Sequence, residues 1–281
     1  MFDIGSGGSV IAVYLFVLGA CLGSFANVVI YRLPLGKSVV RPGSACGSCH
    51  QPIRFYNNIP IFSWFFLRGR CGRCKAKYSI RYAMVELLTA GLFLAAWYRF
   101  GASWTLIEAL IFIFSLVIVS FIDLDHMILP DKFTLSGILI GLLGGALNPE
   151  RDFLDSLYGV LLGGGFLWAI AYFYFLIRKR EGMGGGDIKL LAWIGAVLGW
   201  QSVPFVILVA SVFGSLVGVV TILVKVRRAP TSESSFEVSE SGSEVPPLAI
   251  PFGPFLASAA LVYLLADGAS WAQWYLELHG L

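Results

Sequence analysis

Charge is scarce in this chain. Only 13% of its 281 residues are Asp, Glu, Lys or Arg, while 57% are hydrophobic; a soluble domain carries about 25% charged residues. With a mean hydropathy of +0.79, that shortage excludes a soluble globular fold and predicts an integral membrane protein. Acid is missing altogether from residues 32–81, although that stretch holds ten of the 20 Lys and Arg residues. A basic segment ahead of the first apolar run is also missing. "MFDIGSGG" offers no Lys or Arg, so no cleaved signal peptide is expected and the first run stays in the protein. No glycine loop ends in GK[ST], no repeat of solenoid period is present, and nothing in the sequence points to nucleic acid.

Long apolar runs fill the remainder. A helix needs about 20 apolar residues to cross the hydrocarbon core. Spans are predicted at 10–30, 83–98, 104–122, 133–147, 157–177, 188–200, 203–224 and 250–266. The fold class expected is therefore an all-α polytopic membrane protein of about eight transmembrane helices. The run at 188–200 is short and glycine-bearing, so it is expected to tilt, re-enter or continue into the next. Basic residues lie at 32–81, at Arg178, Lys179 and Arg180, and at Lys225, Arg227 and Arg228; the alternate connections hold only Arg99 and Arg151. Positively charged loops stay in the cytoplasm. Eight spans then place every basic loop inside and both termini outside. The domain reading is a first transmembrane helix at 1–30, a basic cytoplasmic loop domain at 31–82, and a helix bundle at 83–281. The Ser-, Glu- and Pro-rich stretch 229–248 lacks apolar residues to bury and reads as a mobile loop.

Cys46-Gly-Ser-Cys49 and Cys71-Gly-Arg-Cys74 lie in the basic loop. Paired CxxC knuckles at this separation suit a four-thiolate zinc site, structural because no coordination position stays open. Gly47 and Gly72 are expected to relieve the two tight turns. The competing reading, two disulfides, is disfavoured in a reducing cytoplasm. Cys21 reads as a small buried hydrophobe.

Acids at the membrane edge are costly and suggest function. "SFIDLDHMILPDKFT" supplies Asp123, Asp125 and Asp131, and "EGMGGGDIKL" supplies Asp187. The topology puts Asp123 and Asp187 on one membrane face. Two carboxylates brought together share a proton, so one activates water while the other protonates the leaving group. Such a pair serves either an aspartic peptidase or an ion site. Gly184, Gly185 and Gly186 would let backbone approach an extended peptide. Asp131, after Pro130, reads as an N-cap; Asp125 and His126 read as solvated turn residues.

Several stretches together resemble the bacterial type IV prepilin peptidases, a bifunctional GxGD aspartic protease family: "GACLGSFANVVIYRLP", "NNIPIFSWFFLRGRCGRCKAKYSIRYAMVE", "IDLDHMILPD", "GMGGGDIKLL" and "IPFGPFLA", in that order. Ala83 stands where the family usually has proline. The resemblance implies catalytic roles for Asp123 and Asp187, with Asp125 the competitor for the first. It implies a leader peptidase that cuts prepilins or pseudopilins after a glycine at the cytoplasmic face of the bacterial inner membrane. It also implies N-methylation of the new terminus with S-adenosylmethionine as donor. No glycine loop on a βαβ unit offers a donor site, so the loop 31–82 and its junction with the spans is the region expected. The alternatives are a transporter or channel using the acids as an ion site, and a peptidase without methylation, such as one for archaeal preflagellin.

Overall fold

The computed structural model describes residues 6–180, 184–228, 251–266 and 268. The stretch 229–248, expected as a mobile loop, lies outside the described residues. Those described form nine α-helices, one 3-10 turn (Phe55–Asn58) and no strand. The helices are α1 (Ser6–Arg32), α2 (Phe62–Phe66), α3 (Arg81–Phe100), α4 (Trp104–His126), α5 (Asp131–Leu147), α6 (Phe153–Arg178), α7 (Gly185–Leu198), α8 (Ser202–Arg228) and α9 (Gly253–Leu265).

Each apolar run read from the sequence is a helix, and the fold is an all-α polytopic membrane protein. Five helices, α1, α3, α4, α6 and α8, are long and apolar enough to cross a membrane. Of the eight apolar runs, the remaining three, α5, α7 and α9, are shorter. α7 has 14 residues, about 21 Å at ~1.5 Å per residue, against a hydrocarbon core of about 30 Å. It does not run on into α8, because Gly199 closes it with φ +81°. Leu190 to Ala196 are buried without a break. A helix apolar and buried all round belongs to the interior of a bundle, and α7 is that interior helix, packed by α5, α6, α8 and α9.

The main core joins α4 to α7 and α9. Phe112 of α4 meets Trp193 of α7 edge to face at 5.4 Å, among Ile113, Leu116, Leu190, Ile194 and Leu256. A second cluster, Ala26, Val29, Ile30, Val85, Val117, Ile118 and Ile122, packs the α1–α3 pair onto α4. The outward faces of α6 and α8 stay apolar and exposed, from Leu161 and Phe173 to Leu208, Val212 and Leu216. Lipid covers such surface at no cost. Cys21, expected in the interior, lies on the exposed face of α1.

At the end of α4 near Trp104, Arg151 reaches inward. Its guanidinium pairs with Glu108 at 2.6 Å and donates to Ser156 Oγ and the Ala196 carbonyl, both at 2.7 Å. Arg151 is therefore an internal cation that caps the carbonyl end of α7, not a loop charge.

Candidate active site

At the opposite end, α4 is closed by Met127 in the left-handed region, whose N–H returns to the Asp123 carbonyl at 2.8 Å. Asp123, one turn earlier, is 4% exposed. Its Oδ2 accepts a hydrogen bond from the Gly253 N–H at 3.0 Å, at the first residue of α9. A helix N-terminus has free N–H groups and a positive dipole end, so it suits a carboxylate. Only glycine fits there. A Cβ on residue 253 would stand 2.5 Å from Asp123 Oδ2 and 3.2 Å from Leu129 Cδ2.

Asp187 comes from α7. Gly184 is extended ahead of the helix, and Asp187 sits in the first turn, its N–H donating to the Gly184 carbonyl at 3.2 Å. Asp187 is half-buried, and the charge of Asp123 reaches its carboxyl. Leu129 packs against both Gly253 and Gly186, where a Cβ would meet it at 3.2 and 2.8 Å. Gly184 and Gly185 face open space. The structure thus brings together two carboxylates 64 positions apart in the chain, each in or beside a helix N-terminus, with room on the glycine side.

The other acids of the motif are occupied elsewhere. Asp125 holds Arg81 of α3 in a two-point ion pair, at 2.6 and 2.7 Å. Arg81 also covers the Phe121 ring at 4.9 Å. Two residues along a helix point to nearly opposite sides, so Asp125 leaves the site to Asp123. Asp131 is not an N-cap: Pro130 holds that position, and Asp131, first in α5, pairs with Lys189 of α7 at 2.6 Å. The sequence reading missed Gly253, Arg81 and Lys189. The only local signal was Gly-Pro opening the last apolar run.

The four predicted cysteines also converge. The Sγ atoms of Cys46, Cys49, Cys71 and Cys74 all lie within 4.8 Å of one another, and Cys46 and Cys74 are 3.8 Å apart. Tetrahedral Zn–S bonds of about 2.3 Å put sulfurs about 3.8 Å apart, so the quartet fits zinc. The two knuckles repeat one pattern. The Cys46 and Cys71 carbonyls accept from the His50 and Lys75 N–H groups, and the Cys46 and Cys71 N–H groups donate to the Gln51 and Ala76 carbonyls. The left-handed residues of these turns are His50 (φ 54°) and Lys75 (φ 60°), not Gly47 and Gly72 as expected. Gly72 serves packing instead, since a Cβ would stand 2.7 Å from Asn57 Nδ2. Backbone N–H groups of Cys49 and Ser48 hold the Cys46 thiol down to about 6, whereas at Cys74 the Ala76 N–H is outweighed by burial and the neighbouring thiols, which push it up to about 11; a metal cation would draw all four to the thiolate.

Fold and site together define a polytopic membrane protein with a paired-carboxylate centre at one end of its bundle and a four-thiolate loop. Two family models match it: the bacterial peptidase A24 N-terminal domain over residues 17–100, which hold the cysteines, and the type IV leader peptidase family over residues 110–219, which hold both aspartates. A prepilin leader peptidase/N-methyltransferase of Myxococcus xanthus (strain DK1622) is 42% identical over 241 residues, 86% of this chain and 71% of that protein. Proteins of the same description from Aeromonas hydrophila and Neisseria gonorrhoeae are 37% and 34% identical, over 93% and 92% of this chain and 92% and 93% of theirs. No solved structure matches. The chain belongs to the type IV leader peptidase family.

Proposed function

We propose that this protein is an aspartic endopeptidase that removes the leader of type IV prepilins or pseudopilins after a glycine and N-methylates the residue exposed. The observation that carries the reading is the meeting of Asp123 and Asp187 at one end of the bundle, inside a chain of this family. The substrate strand lies along the open side of Gly184 and Gly185. One carboxylate takes a proton from water, whose oxygen attacks the scissile carbonyl; the other protonates the leaving nitrogen, and the C–N bond breaks. The Gly253 N–H fixes the Asp123 carboxylate so that it need not reorganise as the reaction proceeds. A peptide bond inside a helix is shielded from water, and glycine at the cut site lowers the cost of unwinding it.

Cys46, Cys49, Cys71 and Cys74 would hold structural zinc, which supplies a cross-link between the two knuckles. The domain division follows the sequence reading, with the loop at 31–82 and the bundle at 83–281. Eight passes, with α5, α7 and α9 held at membrane depth by their neighbours, put the basic loop and the aspartates at the cytoplasmic face of the bacterial inner membrane. S-adenosylmethionine is the methyl donor.

Mass spectrometry of a prepilin co-expressed with the enzyme tests this. The expected product lacks the leader and carries one added methyl group. An uncut prepilin would refute the peptidase reading, and a cut, unmethylated one the transferase reading.

A further inference from the structure

Residues 17–100 contain one acidic side chain, Glu86, among eleven Lys and Arg. Within the bundle, Glu108, Asp125 and Asp131 each hold a basic partner. Among the described residues, Glu86 forms no ion pair; like Asp123 and Asp187, it is a membrane-edge carboxylate kept free of side-chain cations. Its partners are neutral. Oε2 accepts from the Ile61 N–H at 2.6 Å, and the Ser24 side chain of α1 lies near the same carboxylate. Asn27, one turn on from Ser24, is spent on the Gly23 and Tyr82 carbonyls.

The loop is strained to make that contact. Ile61 has φ 65° and ψ −59°, and the Phe62 N–H bonds to the Pro60 carbonyl at 2.7 Å. This is the rare γ-turn with positive φ, unfavourable for a β-branched residue. Beside it on α2, Ser63 Oγ and Trp64 Nε1 are buried with no hydrogen-bond partner. The Tyr78 phenol is pushed up by burial and by the charges of Glu86 and Cys71. A carboxylate without an ion pair and a strained turn therefore meet where the cysteine loop joins α1 and α3, while the Trp64 indole packs against Gly69. Val85 and Ile122, the chain neighbours of Glu86 and Asp123, share one buried cluster.

We propose that Glu86 is the anionic anchor of a subsite for a small organic cation at this junction. The inference rests on the methyltransferase reading, which supplies two such cations: the sulfonium of the donor and the α-ammonium left on the pilin by cleavage. A sulfonium loses its charge as methyl leaves, so Glu86 favours the bound cation rather than the transition state. Its removal then raises the donor KM and spares kcat.

The test uses full-length enzyme in detergent and Glu86→Gln, which keeps an oxygen for the Ile61 N–H and removes the charge. Equilibrium binding is measured for S-adenosylmethionine and for S-adenosylhomocysteine, which lacks the sulfonium charge. Loss of a charge-assisted contact weakens binding about 10- to 100-fold. Weakening confined to S-adenosylmethionine identifies the sulfonium. Unchanged binding of both, with methylation that falls and then recovers as the pH passes the α-amino range near 8, identifies the ammonium; Tyr78, the titratable group facing Glu86 from the loop, stays neutral there. Methylation by E86Q at the wild-type rate with donor held below its wild-type KM, or a parallel fall in cleavage and methylation, overturns the proposal. Wild type that neither binds the donor nor methylates sinks the transferase reading and the proposal with it. Should E86Q lose the metal of its cysteine quartet, Glu86→Asp carries the test: its retracted charge must lower either the preference for S-adenosylmethionine or methylation near pH 7 several-fold, and no change in either refutes the anchor.

Discussion

Replacing Gly253 with alanine adds one carbon at the tightest point of the peptidase centre. That carbon would stand 2.5 Å from Asp123 Oδ2 and 3.2 Å from Leu129 Cδ2, where ordinary contacts between carbon atoms lie near 3.5–4.0 Å. Something must move by about 1 Å. Asp123 sits on a fully packed helix end, beside Ile122 at 0% exposure, so the carboxylate and the first turn of α9 separate. Overpacking of this kind costs about 1–3 kcal/mol, and the charge-assisted bond from the Gly253 N–H, worth about 1.5–3 kcal/mol, is lost with it. A reacting group misplaced by about 1 Å loses on the order of 10²-fold in rate. Purified G253A should therefore cleave a prepilin about 100-fold more slowly, with most of the loss in kcat, while donor binding stays near wild type. Cleavage within twofold of wild type would refute the role given to α9.

Asp123→Asn and Asp187→Asn should each abolish cleavage and leave the protein in the membrane, measured by leader removal and fractionation. Asp125→Asn should keep cleavage within several-fold, because the pair with Arg81 is about one-third exposed and such pairs contribute about 1 kcal/mol or less; complete loss would move the first catalytic role to Asp125. Cys46→Ser should release zinc, read by metal analysis, and loosen the loop to proteolysis; purified wild type without zinc would end the four-thiolate reading. Arg151→Ala strands Glu108 in a site where the pair is 15% and 21% exposed, and should cost about 3 kcal/mol, read as a lower unfolding temperature in detergent. An unchanged temperature would mean that the cluster carries no stability.

Hydropathy made the helices legible because each apolar run must be covered by lipid or by protein. It does not say which, and α7 shows the difference. Its 14 residues are too short to read as a simple span, and their burial on all sides follows from neighbours drawn from five other helices, α4, α5, α6, α8 and α9. The cysteines were legible because metal geometry imposes a short spacing within each knuckle. The glycines beside them misled, since the left-handed turns fell to His50 and Lys75. Asp123 and Asp187 stood out as acids in apolar surroundings. What holds them did not, because Gly253 acts on Asp123 across 130 residues through a backbone N–H that any residue type carries. Asp131 likewise looked like a cap by its position after Pro130, and only the approach of Lys189 from α7 made it an ion-pair partner.

The central claim is that Asp123 and Asp187 act on one peptide bond. An experimental structure with a prepilin bound measures this directly, as the distances from both carboxyls to the scissile carbonyl and its attacking water. The account predicts that each carboxyl reaches one of them within hydrogen-bonding distance, about 2.6–3.2 Å, on the open side of Gly184. A docked substrate with either aspartate turned away, or with the cut site against another face of the bundle, would contradict it.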